Sequence, residues 1–88
     1  MMNAMIPLHR DRDFTFRFAE DRMIPRFHLE GVETGRSIAV YRLNPETGGR
    51  LDLITTAVTG DGGWVTLAEP ILVRAGEGFI AVPSEPGA

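Results

Sequence analysis

Turn-forming residues interrupt this chain at intervals of about eight to twelve residues, a spacing typical of all-β domains. Ten glycines and six prolines are present, many of them in polar clusters such as Asn44-Pro45-Glu46-Thr47-Gly48-Gly49. Between the clusters, apolar and polar side chains alternate with the two-residue period of a β-strand. No window has a sustained apolar stripe at helical spacing. The sequence therefore predicts an all-β fold with almost no helix.

Seven strands are expected. Phe14, Phe16 and Phe18 share one face of the first, and burying them contributes roughly 5 to 9 kcal/mol before any opposing terms. The other strands are predicted at residues 26–30, 37–43, 50–58, 64–68, 71–74 and 79–82. Hairpins are predicted at residues 44–49 and 59–63, and the inner faces are expected to be completed by Leu51, Leu53, Ile71 and Val73. This pattern indicates a single small seven-stranded antiparallel sandwich, or a barrel-like variant.

The length of 88 residues accommodates one domain. We expect an N-terminal arm at residues 1–12, a β-sandwich domain at residues 13–83 and a C-terminal tail at residues 84–88. Cysteine is absent, so disulfides, cysteine-ligated metals and thiol nucleophiles are excluded.

The charge pattern argues against nucleic-acid binding. The formal net charge is -3, and all nine basic residues are arginines interleaved with twelve acids. A phosphate-binding stripe needs uncompensated cations along one surface. No apolar stretch approaches the roughly 18 residues of a membrane span, and the short apolar start has no basic residue before it and contains Pro7. No membrane partner and no export signal are expected, which favours a location in a virion or in the cytoplasm.

Catalytic and metal-binding patterns are missing. His9 and His28 are the candidate bases and are interpreted as surface histidines, while Ser37 and Ser84 lie outside any nucleophile motif. Asp61 stands alone in a glycine-rich turn, whereas calcium requires six to eight oxygen ligands. The sequence predicts no enzyme activity, no catalytic residues, no metal and no cofactor.

Two further features carry functional hypotheses. Trp64 and Tyr41 are interpreted as core residues, and the alternative is an exposed aromatic platform that binds a ligand. The arm is a candidate interface with a neighbouring chain, through an apolar set and two arginines that could form inter-subunit ion pairs. These interface candidates are Met1, Met2, Met5, Ile6, Leu8, Arg10 and Arg12.

Residues 36–76 resemble the transthyretin-like and carboxypeptidase-regulatory-like β-sandwich modules. The resemblance rests on the strand Ile38-Ala39-Val40-Tyr41, the Thr47-Gly48 hairpin and the turn Thr59-Gly60-Asp61-Gly62-Gly63-Trp64. The chain departs from the pattern by an extra Gly63 and by its N-terminal segment. The resemblance implies a sandwich used for support or attachment, with no catalytic residues to carry over.

The leading functional hypothesis is a non-catalytic structural or interaction module in a larger homo-oligomeric assembly. Its most specific form is a phage virion accessory, such as a capsid decoration or tail-associated protein, held by protein contacts through the arm. The alternative is a carbohydrate- or receptor-binding β-sandwich module that uses Trp64 and Tyr41.

Overall fold

The computed structural model describes residues 13–84, which form six β-strands and one short 3-10 turn, Asp61–Gly63. The strands are β1 (Phe14–Arg17), β2 (Arg22–His28), β3 (Ser37–Leu43), β4 (Arg50–Val58), β5 (Trp64–Val73) and β6 (Gly78–Pro83). The described part of the chain is all-β, as predicted.

The strands form two antiparallel sheets. The larger has the order β1-β6-β3-β4, and the smaller pairs β2 with β5. The predicted central strand at residues 37–43 is confirmed, because β3 lies between β6 and β4. Inward-facing apolar residues of both sheets meet in one core.

An aromatic cluster joins the two sheets at the centre of the core. Phe79 of β6 is fully buried. Its ring centroid lies 4.8 Å from that of Phe16 and 5.0 Å from that of Phe27 in the smaller sheet. Phe14, Phe16 and Phe18 are half-buried against the same core, which confirms the predicted role of the first strand.

The structure has one strand fewer than the sequence predicts, because residues 64–68 and 71–74 are not separate strands. Instead, β5 runs continuously through Pro70. Ile24 pairs with Ile71 and Arg26 with Thr66, so β5 advances five positions while β2 advances two. Proline lacks the N–H needed for a regular ladder, and it is tolerated at such irregular positions.

The two predicted hairpins have different outcomes. Asn44 Oδ1 accepts a hydrogen bond from the backbone N–H of Glu46 at 2.9 Å, and Gly48 has a φ of 79°, so the hairpin at residues 44–49 is confirmed. The prediction of a hairpin at residues 59–63 was wrong. A tight turn is present there, with the Thr59–Val65 bridge and a hydrogen bond of 2.6 Å from the Gly60 backbone N–H to the Trp64 carbonyl. The chain nevertheless crosses to the other sheet, where β5 pairs with β2, so β4 and β5 form no ladder.

The expectation that Leu51 and Leu53 fill the core was also wrong. They are 43% and 52% exposed. β3 advances five positions from Ile38 to Leu43 while β4 advances seven from Ala57 to Arg50, so β4 contains two extra residues. Each extra residue shifts the alternation of side chains between faces. The other two predicted core residues, Ile71 and Val73, are buried.

Thr59 is the buried polar residue of residues 13–84, at 2% exposure. Its hydroxyl accepts a hydrogen bond from the Arg36 backbone N–H at 2.8 Å and donates one to the Glu33 carbonyl at 2.5 Å. The side chain therefore ties the loop before β3 to the connection after β4.

Replacing Thr59→Val should lower the free energy of unfolding by about 1 to 3 kcal/mol, because both hydrogen bonds are lost from a buried site without loss of volume. Urea denaturation measures this change. The exposed Thr56→Val in β4 is the matched control, expected within about 0.5 kcal/mol of the original chain. Equal stability of the two variants would contradict the role assigned to Thr59.

Candidate functional site

The predicted arm interface lies outside the described residues. Its members are Met1, Met2, Met5, Ile6, Leu8, Arg10 and Arg12. The role of the arm therefore stays a prediction.

Residues that could support chemistry are dispersed in the described part of the chain. Within residues 13–84, no three His, Asp or Glu side chains form a group that could hold a metal ion. Ser37 and Ser84 are exposed, and the Ser84 backbone N–H donates to the Ser37 carbonyl at 2.8 Å. His28 is exposed and lies against Trp64, with ring centroids 5.1 Å apart.

The core interpretation of Trp64 was wrong, since the residue is 43% exposed. It begins β5, and its neighbour Val65 is fully buried. Successive side chains of a strand point to opposite faces, so the indole lies on the outer face of the β2–β5 sheet. The domain can leave its single tryptophan outside because the Phe79 cluster fills the core.

The turn before Trp64 is fixed to the end of β2. The His28 ring Nε2 donates to the Gly62 carbonyl at 2.6 Å, and the Leu29 backbone N–H donates to the Gly63 carbonyl at 2.9 Å. Gly63 has a φ of 86°, and a Cβ there would overlap the Leu29 carbonyl oxygen. Only glycine allows this approach, so the position of the indole is set by backbone contacts.

Arg26 completes the cluster around the indole. Its guanidinium carbon lies 4.7 Å from the centroid of the Trp64 ring, within cation–π range. Arg26 pairs with Thr66 in the sheet register, on the same outer face as the indole. The ion pairs recorded within residues 13–84 use Arg36, Arg42 and Arg50, and none uses Arg26. The guanidinium donors of Arg26 are therefore available to a ligand.

Tyr41 does not join this cluster. It lies on β3 of the larger sheet, next to the core residue Val40, so alternation places it on that sheet's outer face. Its ring is half-buried, with the Arg50 guanidinium 5.2 Å from its centroid. Arg50 also pairs with Asp13 at 3.3 Å. The core interpretation of Tyr41 was therefore wrong, and the alternative of one platform formed by Trp64 and Tyr41 is contradicted as well, because the two residues lie on different sheets.

A second candidate surface lies along β4, an edge strand of the larger sheet. Seven large apolar residues are exposed within residues 13–84, and β4 carries four of them. We call these four the β4 patch: Leu51, Leu53, Ile54 and Val58. Groups of exposed apolar residues on a small domain commonly mark interaction sites.

The β4 patch continues into a groove of about 580 Å³. Val58 belongs to both, and the remaining lining comes from β3, β4 and the end of β6 and includes Ile38, Ala39 and Val82. The groove extends the exposed apolar surface around Val58, whereas Ile54 lies farther along β4 and lines a separate cavity beside Pro70 and Ile71 of β5.

Sequence reasoning missed Arg26 as a partner of Trp64, and it assigned half of the β4 patch to the core. The available signal was that Arg26 and His28 lie on the polar side of the strand predicted at residues 26–30, which indicated that they share an outer face. Nothing in the local pattern indicated that this strand would pair with β5.

No family model, curated protein or solved structure matches this chain. No helix within residues 13–84 is long and apolar enough to cross a membrane. Within residues 13–84, the candidate functional features are the β4 patch and the cluster of Trp64, His28 and Arg26.

Proposed function

We propose that this protein is a non-catalytic β-sandwich module of a larger homo-oligomeric assembly, in which the β4 patch contacts a second copy of the chain. The observation that carries the proposal is the concentration of four exposed apolar side chains on one edge strand. Removing such surface from water stabilises a contact by about 25 cal/mol per Å² before association costs are subtracted.

We propose that side chains form this contact, and that the second copy does not add a strand to the edge of the sheet. The two extra residues of β4 interrupt its register with β3. Bulges of this kind twist an edge strand and disfavour pairing with a further strand. Specificity then comes from the shape of the apolar patch and the adjoining groove.

A second copy is a suitable partner because the patch carries both signs of charge. Arg50 and Asp52 flank Leu51 on the same strand, and within the chain they form exposed ion pairs with Asp13 at 3.3 Å and with Arg42 at 3.5 Å, respectively. Exposed pairs of this kind contribute little stability, so they can exchange partners in a contact. In a two-fold contact the same surface is used by both copies, so the arginine of one can approach the aspartate of the other.

The apolar N-terminal arm is proposed as an additional contact with a neighbour. The most specific form of the proposal is a phage virion accessory protein, such as a capsid decoration or tail-associated protein. It is supported by analogy with small all-β domains in such roles and by the support or attachment role that the resemblance at residues 36–76 implies.

Sedimentation velocity over a concentration series tests the role of the β4 patch. The full chain should associate as its concentration rises, and Leu53→Glu should need a concentration more than about tenfold higher to associate, because a charge would be buried in the contact. Met23→Glu is the matched control, since Met23 is 65% exposed on the other sheet, and it should associate like the original chain.

At a concentration at which all three chains are monomeric, both variants should keep the melting temperature of the original chain, because both replaced side chains are exposed. A full chain that stays monomeric at every concentration would overturn the proposal. Association of Leu53→Glu equal to that of Met23→Glu would place the contact elsewhere.

A further inference from the structure

We propose that the outer face of the β2–β5 sheet binds an acidic saccharide, with Trp64 stacking on a sugar ring and Arg26 pairing with its carboxylate. This site is separate from the β4 patch, which lies on the other sheet. The inference extends beyond the assembly role proposed above and does not depend on it.

The indole offers an apolar surface in a fixed position. Trp64 keeps 43% of its surface exposed while Arg26 and His28 lie against it. The hydrogen bond from His28 to the Gly62 carbonyl and the glycine at position 63 hold the turn from which the indole projects. A ligand therefore meets a preorganised ring, which reduces the entropy lost on binding.

Arg26 selects the charge of the ligand. Its guanidinium is held near the indole and forms no ion pair with any residue of 13–84. The planar guanidinium fork suits bidentate recognition of a carboxylate. In a uronate, the same sugar residue carries both a carboxylate for Arg26 and an apolar ring face for Trp64.

The shape of the face favours an oligomer. From His28 to Met23, β2 covers about 16 Å at 3.2 to 3.4 Å per residue. At the far end, Met23 and Leu72 form a cross-strand pair with 65% and 61% exposure. The site is therefore an elongated surface that starts at the indole and continues over apolar side chains.

The test is a titration followed by the emission of the single tryptophan. The probes are a galacturonate tetramer, a galactose tetramer that lacks only the carboxylates, and a tetraglutamate peptide. The galacturonate tetramer should give a saturable change in emission, and the other two should bind more than about tenfold more weakly. Arg26→Gln should weaken galacturonate binding by more than about tenfold, through loss of a charged hydrogen-bonded pair.

Arg22→Gln is the matched control, because it removes an exposed arginine of the same strand that lies away from the indole, and it should bind like the original chain. Leu53→Glu should also bind normally, which separates this result from a failure of the assembly proposal. If the galactose tetramer bound as tightly as the galacturonate tetramer, the role of Arg26 would be contradicted. If tetraglutamate bound as tightly as the galacturonate tetramer, the role of stacking on Trp64 would be contradicted. No saturable change with any probe would overturn the site itself.

Discussion

Replacing Gly78 by alanine is expected to lower the free energy of unfolding by about 3 kcal/mol or more, the upper end of the usual cost of overpacking. A Cβ at this position would overlap the Phe16 carbonyl oxygen and lie 3.1 Å from the Arg17 Cα. Both neighbours are backbone atoms of β1, so no side-chain rotation can relieve the overlap. The variant must move β1 away from β6, which weakens the ladder and the Phe16–Phe79 stack.

Thermal unfolding followed by circular dichroism measures this effect, and a 3 kcal/mol loss corresponds to a fall in Tm of about 12 to 24 °C for a domain of this size. Gly76→Ala is the matched control. Gly76 has a φ of 84°, but no atom lies within 4 Å of the place that a methyl group would occupy, so only backbone strain of about 1 to 2 kcal/mol is expected. Equal costs for the two variants would show that β1 does not approach Gly78 this closely.

Replacing Phe79 by alanine is expected to lower the free energy of unfolding by about 3 to 5 kcal/mol, the range found for deleting a buried aromatic ring. Phe79 is fully buried and its ring lies within 6.0 Å of those of Phe16, Phe18 and Phe27. It is the point at which rings from β1 and from the smaller sheet meet. Small domains have a total stability of about 5 to 15 kcal/mol, so this loss removes a large share of it.

Urea denaturation gives the size of the loss, and near-ultraviolet circular dichroism should show reduced aromatic signal in the folded variant. Phe79→Leu keeps most of the volume and should cost less than about 2 kcal/mol. A cost for Phe79→Ala no greater than that for Phe79→Leu would contradict the central position of the ring.

Local patterns were sufficient to predict several elements of this fold. The alternation at Phe14, Phe16 and Phe18 depends only on neighbours in sequence, and these residues pack against the core as expected. The hairpin after β3 was predictable from Asn44 and Gly48, because one side-chain oxygen and one positive φ define the turn.

Features that depend on distant parts of the chain were not predictable in this way. The bulges of β4 arise from its pairing with β3, and they move Leu51 and Leu53 out of the core. After β4 the chain crosses between the sheets, so β5 forms its ladder with β2 and not with β4 as an extended hairpin would require. Both outcomes are decided by strand pairing over long sequence separations.

The candidate sites follow the same division. Sequence reasoning favoured a buried Trp64 over an exposed one because it could not foresee that the Phe79 cluster fills the core. It could not place Arg26 beside the indole, since that contact requires β2 and β5 to be adjacent. Sequence reasoning missed the β4 patch because it could not foresee the bulges of β4, which move Leu51 and Leu53 out of the core.

Hydroxyl-radical footprinting of the full chain, at low and at high concentration, tests the assembly proposal most directly. Labelling of Leu53 and Val58 should fall several-fold as the chain associates, whereas Met23 and Leu72 should stay labelled as in the monomer. These four side chains are all more than half exposed in the single chain, so each starts accessible to the radical. Unchanged labelling of Leu53 and Val58 in the associated chain, or protection confined to Met23 and Leu72, would contradict the proposed contact.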